Sequence, residues 1–237
     1  MREIVKEVTV RATPDVVWRA ITDAEELRRW FPIDARVQPG VGGSIWVSWG
    51  EGAEAEAPIT GWDPPRHLQW TQDRGPVKLF VDFHIEAAAG GSTVVRLVQS
   101  GFGDGPEWDD EFHMTDGGWT YFMAHLGWYI NRHHGVPRDV LALREPVTLS
   151  RGEAFARLTH EFENGGSAPA LAESRNTQQL ALRLPALNDG VLFLEMEPHP
   201  DGCRAGFYLS TYGLSPDRLK TARNDFETRY RRALDLS

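Results

Sequence analysis

The sequence predicts an α+β chain in which a curved antiparallel sheet closes over one long helix, followed by a smaller α+β domain. Three observations lead there. From Trp108 to His134, the residues Trp108, Phe112, Thr115, Trp119, Phe122, Leu126 and Tyr129 recur at alternating steps of four and three, which lines them up on one helical face. Before that helix, aromatic and β-branched residues alternate in the strand manner and supply the apolar partner a long helix needs. After it, the chain runs through a second, shorter series of strand, helix, strands and helix.

The elements follow in order. Residues Ile4 to Val10 alternate as a first strand, and Thr13-Pro14 offers an N-cap followed by proline at the first helical position. A short helix through Trp18 and Ile21 is expected. Asp23 then caps a second one, Ala24 to Trp30, which Phe31-Pro32 ends because the residue before proline is pushed out of the α region. Gly40-Val41-Gly42-Gly43 has neither the spacing nor the strand-loop-helix context of a phosphate loop, so it is a turn. The strand Ser44 to Trp49 follows, with Ile45, Val47 and Trp49 on one face, and Glu51 to Ala57 reads as a hairpin loop. Ile59 to Trp62 makes the next strand, and Asp63-Pro64-Pro65 turns the chain into His67 to Thr71, where Leu68 and Trp70 point one way and His67 the other.

The strongest alternation is Val77 to Glu86, with Val77, Leu79, Val81, Phe83 and Ile85 on the inner face. On the outer face Asp82, His84 and Glu86 are expected to be a solvated polar strip, because exposed faces of antiparallel sheets are polar. Thr93 to Phe102 returns with Val95, Leu97 and Gln99 inward. An inward glutamine needs a hydrogen-bond partner, which makes Gln99 a candidate ligand anchor.

Composition narrows the function. At 237 residues and 41% hydrophobic content the chain suits one large domain or two small ones. No run reaches the roughly 20 apolar residues of a membrane span, and the N-terminus lacks the apolar core of a signal peptide. The one cysteine, Cys203, cannot form an internal disulfide. A cytoplasmic protein is expected. With 34 Asp+Glu against 25 Lys+Arg, a net charge of -9 and no basic run, nucleic acid is not an expected partner. Nine tryptophans supply flat walls for an apolar or aromatic ligand as well as core.

No nucleophile elbow, zinc-protease helix, phosphate loop or paired-cysteine motif is present, and no metal or cofactor is expected. Asp109-Asp110-Glu111 and His133-His134 sit at the ends of the long helix where the dipole favours their charges, the histidines being expected in solvent. His125, one position off the apolar stripe, is the candidate acid or base at the cavity edge. Gly117-Gly118 inside the helix calls for a bend or a close approach, since each glycine costs about 1 kcal/mol against alanine.

Thr13-Pro14 with Val17-Trp18 and Ile21-Thr22, Leu27 to Phe31, Pro39-Gly40 with Gly42-Gly43, Gly61-Trp62-Asp63-Pro64-Pro65-Arg66-His67-Leu68, Thr93 to Leu97, Ser100-Gly101-Phe102 and Gly118-Trp119 form an ordered set. It resembles the START-like (SRPBCC) superfamily, in the branch named after the activator of heat-shock-protein ATPase, over about residues 1 to 135. The resemblance implies a helix-grip fold with a hydrophobic cavity between sheet and helix. It implies little about chemistry, because relatives include lipid carriers, aromatic polyketide cyclases and proteins that sequester natural products.

In the tail, Ala154 to Thr159 echoes Val17 to Thr22, Thr177 to Leu184, Val191 to Glu197 and Cys203 to Thr211 read as strands, and Ser215-Pro216 starts a helix with Leu219, Ala222, Phe226, Tyr230 and Ala233 at helical spacing. The expected domains are therefore 1-136, a helix-grip domain, a linker at 137-145, and 146-237, an abbreviated second copy suited to packing or homodimer formation. The expected function is carriage or sequestration of a hydrophobic small molecule, aromatic compounds among the candidates, in a cavity lined by Trp30, Trp49, Trp70, Phe83, Leu97, Gln99, Trp119 and Phe122. The alternatives are a cofactor-independent cyclase, dehydratase or hydrolase acting in the same cavity through His125, and a protein-interaction module.

Overall fold

The computed structural model describes residues 2–75, 77–164 and 171–236, and divides the chain into two compact units, 1–135 and 136–237. In the first, β1 (Arg2–Val10), α1 (Pro14–Thr22), α2 (Ala24–Leu27), β2 (Asp34–Val37), β3 (Ser44–Ser48), β4 (Glu54–Asp63), β5 (His67–Arg74), β6 (Val77–Ala88) and β7 (Ser92–Phe102) precede the long helix α3 (Asp109–Trp128). A π-helical turn, Tyr129–His133, continues that helix. The seven strands form one antiparallel sheet in the order β1-β7-β6-β5-β4-β3-β2.

Local chemistry accounts for the helix boundaries. Asp23 ends α1 and caps α2, its carboxylate accepting from Glu26 N at 3.1 Å, so one residue serves two helices. The chain leaving α2 is pinned by Trp30, whose Nε1–H donates to the Ala20 carbonyl at 2.8 Å. In the hairpin between β6 and β7, Gly90 and Gly91 take φ of 72° and 74°, conformations that glycine adopts without steric cost.

The period-two pattern of β6 is realised: Leu79, Val81, Phe83 and Ile85 are buried on one face, beside Val95, Leu97 and Gln99 of β7. Helix α3 runs along β1. Arg2 Nη1 lies 2.6 Å from Asp109 Oδ1, Lys6 Nζ 2.8 Å from Asp116 Oδ1, and Arg11 N donates to Asn131 Oδ1 at 2.8 Å. From Asp109 to Asn131 a helix rises about 33 Å, and from Arg2 to Arg11 a strand rises about 30 Å, so contacts at both ends require the two to be nearly parallel. Packing is tight at Gly127, where a Cβ would stand 2.9 Å from Val8 Cγ2.

The end of α3 is locked by a buried polar knot. The Tyr129 hydroxyl donates to Glu26 Oε2, Arg29 Nη1 donates to Glu26 Oε1 at 2.7 Å, and Gly135 N donates to the Tyr129 oxygen at 3.2 Å. Burial first, then the hydrogen bond to Glu26, pushes the Tyr129 phenol above its usual range.

The second unit contains β8 (Arg138–Val147), α4 (Arg151–Thr159), a π-helical turn at His160–Asn164, β9 (Leu171–Arg175), β10 (Gln179–Leu184), β11 (Gly190–His199), β12 (Gly202–Tyr212) and α5 (Pro216–Ala233). Its antiparallel sheet has the order β8-β12-β11-β10-β9. Leu180, Leu182, Leu192, Leu194, Phe207 and Leu209 form its core with Phe155 and Leu158 of α4 and Phe226 and Tyr230 of α5. Tyr230 crosses that core to donate to the Ala205 carbonyl at 2.7 Å.

Several expectations are corrected. Residues 137-145 are not a linker: β8 runs through them and pairs with β12 along its whole length. The expected hairpin loop Glu51 to Ala57 already contains the start of β4, paired with β3 from Glu54. His133 is buried, 5% exposed, while His134 is exposed, because the wider π turn rotates their backbone relative to an α-helix. At Gly117-Gly118 the helix continues without a break, and a Cβ on Gly118 would meet nothing nearer than Phe122 at 4.0 Å. Within the polar stretch 164–176, positions 165–170 lie outside the described residues.

Candidate functional site

Between the inner face of the first sheet and α3, the side chains meet in one aromatic cluster. Phe31 is its hub. The ring stacks on Trp30 at 5.2 Å and on Trp119 at 5.5 Å, and meets Trp49 at 5.2 Å and Phe122 at 4.7 Å edge to face. The cluster continues from Trp119 to Phe83 at 5.9 Å and from Phe83 to Trp70 at 5.4 Å. Such offset and edge-to-face pairs are the arrangements that aromatic quadrupoles favour. Leu97, fully buried, stands opposite Phe83 in the β6–β7 register.

All eight lining residues named from sequence therefore fall in one connected region. Their roles within it differ. Trp30 is 1% exposed and its indole is satisfied by backbone, which makes it a wall behind Phe31. Gln99, 3% exposed, accepts from Trp119 Nε1 through Oε1 at 2.5 Å, so the inward glutamine has the partner its burial demands. The Gln99 amide nitrogen has no acceptor among the described residues. Trp49 carries a second open donor: its Nε1 is buried, flanked by Phe31 and Phe122, and has no partner among the described residues. Buried N–H groups without a protein partner are rare in folded proteins, and each calls for an explanation, such as a water or a ligand acceptor. Phe31 itself was not foreseen, because it lies beyond the end of α2 where helical periodicity assigns no face.

His125 is not brought into this cluster. It is fully buried, its Nδ1 lies 3.0 Å from the Tyr121 hydroxyl, and its ring neighbours are Tyr121 and Trp128. Six residues on from Trp119, at about 100° per residue, His125 projects about 120° round the helix from it. A separate pocket of about 690 Å³ opens at the start of α3, lined by Asp73, Arg74, Gly75, Val77, Glu107, Trp108 and Glu111. Arg74 Nε donates across its wall to Glu111 Oε1 at 2.9 Å, and none of its residues belongs to the aromatic cluster.

A sheet closed over a long helix, with aromatic side chains gathered between them, defines a class of α+β domain. Within that class the chain belongs to the family described as Activator of Hsp90 ATPase homolog 1-like protein, whose model matches residues 11–131. Among solved structures, protein MLL2253 from Mesorhizobium loti is similar at 24% identity over 56% of this chain and 98% of its own, with a TM-score of 0.50. The Aha1 dimer from Colwellia psychrerythraea is similar at 20% identity over 57% of this chain and 100% of its own, also at 0.50. The di-domain ARO/CYC BexL of the BE-7585A biosynthetic pathway aligns with 99% of this chain and 97% of its own, at 14% identity and a TM-score of 0.49. No curated protein matches the chain. Among the described residues no helix is long and apolar enough to cross a membrane.

Proposed function

We propose that the first unit binds a hydrophobic, aromatic small molecule that carries hydrogen-bond acceptor oxygens. The observation supporting this is the pair of open donors, Trp49 Nε1–H and the Gln99 amide, set in an otherwise apolar cluster of rings. Apolar burial of about 200 Å² on the ligand supplies about 5 kcal/mol, before the ordering costs of binding. The two donors then fix orientation, since a ligand without acceptors leaves them both unpaired.

Carriage or sequestration is favoured over turnover because the acid-base candidate, His125, is paired with Tyr121 on another side of α3. A mass balance tests the choice. After incubation of purified protein with small-molecule extract of its source, binding predicts about one compound per chain, recovered intact. Depletion far beyond that, with a new product mass, would replace binding with catalysis, and a rate that His125→Ala reduces would assign the proton transfer to His125.

A further inference from the structure

The outer face of the first sheet carries a second constellation, unrelated to the aromatic cluster. His67 on β5 stands directly opposite His84 on β6, and Asp82 lies diagonal to His67 on the same face. Cross-strand neighbours of this kind have Cβ atoms about 5 Å apart. The two imidazoles lie nearly parallel, 4.8 Å between centroids and 18° between planes, and His67 Nε2 is 2.8 Å from Asp82 Oδ1. One nitrogen from each histidine and one Asp82 oxygen all lie within 4.8 Å of one another.

Two further features hold this trio in place. Gln69 Nε2 donates to Asp82 Oδ1 at 2.8 Å, and Thr60 Oγ1 donates to Gln69 Oε1 at 2.7 Å, a chain of outer contacts that orients the carboxylate. Both protein hydrogen bonds to Asp82 fall on Oδ1, so Oδ2 is open. Beside the His67 ring the register of β4 shifts between Ile59 and Gly61. At Gly61 a Cβ would stand 3.1 Å from His67 Cε1 and 3.3 Å from its Nδ1, so the glycine makes the space the imidazole occupies.

We propose that His67, Asp82 and His84 form a binding site for a divalent transition-metal ion. Two imidazoles and one carboxylate suit Zn²⁺, Co²⁺, Ni²⁺ or Cu²⁺ and do not suit Ca²⁺ or Mg²⁺, which take oxygen ligands. Bonds of about 2.0–2.2 Å from a tetrahedral ion place donors about 3.3–3.6 Å apart, between the 2.8 Å from His67 Nε2 to Asp82 Oδ1 and the 4.8 Å that spans the trio. Three protein ligands leave a coordination position for water or an external ligand, on the solvent side where His84 is exposed. The neighbouring positive charge in that row, Arg96, stands opposite Glu7 in the register of β1 and β7, which offsets it.

The test is titration of the metal-free full chain with Co²⁺, followed by its visible d–d absorption and by displacement with Zn²⁺. The expected result is one Co²⁺ per chain. His67→Ala and His84→Ala each weaken binding by more than the ~10–100-fold that loss of an outer-shell partner costs, and Gln69→Ala falls in that lower range. His134→Ala, on the exposed end of the long helix, leaves affinity unchanged. Wild-type protein that binds no Co²⁺ below millimolar concentration overturns the site. So does binding that persists in either histidine variant, each being first checked for a native unfolding transition.

Discussion

Removing the indole N–H of Trp119 while keeping a ring isolates the polar contact at the centre of the site. Trp119 is 7% exposed and Gln99 3%, and the bond between them is 2.5 Å. In Trp119→Phe the glutamine carbonyl loses its donor inside the protein, a cost of ~1–3 kcal/mol, to which the smaller ring adds ~1 kcal/mol of lost burial. Gln99→Leu strands the indole N–H instead, again at ~1–3 kcal/mol. The double variant has neither orphan, so its loss is expected to be smaller than the sum of the single losses by the two orphan costs together, ~2–6 kcal/mol. All nine tryptophans lie between Trp18 and Trp128, so tryptophan fluorescence during urea unfolding reports on the first unit alone. Single-variant losses that add within ~0.5 kcal/mol would refute the coupling.

Other outcomes follow from the same structure. Glu195 on β11 has its carboxyl pushed up from 4.5 to about 7, first by burial and then by Glu197, against the opposing bond from Gln179. The folded state then holds the proton more tightly than the unfolded state, so this contribution is complete below pH 4.5, falls as pH rises, and is gone above about 7. It amounts to at most about 3 kcal/mol, and amide exchange in β10 to β12 of Glu195→Gln should lose that slope; an unchanged slope would assign it elsewhere. Gly118→Ala should stabilise α3 by up to ~1 kcal/mol, having open space around the new methyl. Gly127→Ala should destabilise by ~1–3 kcal/mol, since the methyl meets Val8 at 2.9 Å; the same urea transition checks both, and equal effects would contradict the packing of α3 on β1.

Elements whose pattern repeats were legible in the sequence, and contacts that depend on register were not. Strand β6 was plain because Leu79, Val81, Phe83 and Ile85 alternate without interruption, and α3 because its stripe covers six turns of the heptad-like spacing. Strand β8 was missed because Arg138, Asp139, Arg144 and Glu145 interrupt its apolar pattern, and most of its residues are only half-buried. The alternation of β5 and β6 placed His67 and His84 outward correctly, but a solvated strip was expected. Only the pairing of His67 with His84 across β5 and β6 shows that Asp82 is bonded by His67 and Gln69.

The candidate site shows the same division. Inward parity identified Trp70, Phe83, Leu97 and Gln99, and helical spacing identified Trp119 and Phe122. Phe31 belongs to neither period, and its ring is placed by tertiary packing against Trp30, Trp49, Trp119 and Phe122. His125 was placed near the cavity from its nearness in sequence to Phe122. One residue off the stripe is a rotation of about 100°, which was enough to pair it with Tyr121 instead.

The most direct measurement is the indole N–H spectrum of ¹⁵N-labelled protein, with the Trp49 resonance assigned by its disappearance in Trp49→Phe, recorded before and after addition of the compound the protein retains from extract. Ligand binding against the open donor predicts that the Trp49 proton moves downfield, as a new hydrogen bond requires, and moves more than that of Trp62 or Trp108. A bound compound that leaves the Trp49 resonance where it was would contradict the assignment of the aromatic cluster as the binding site.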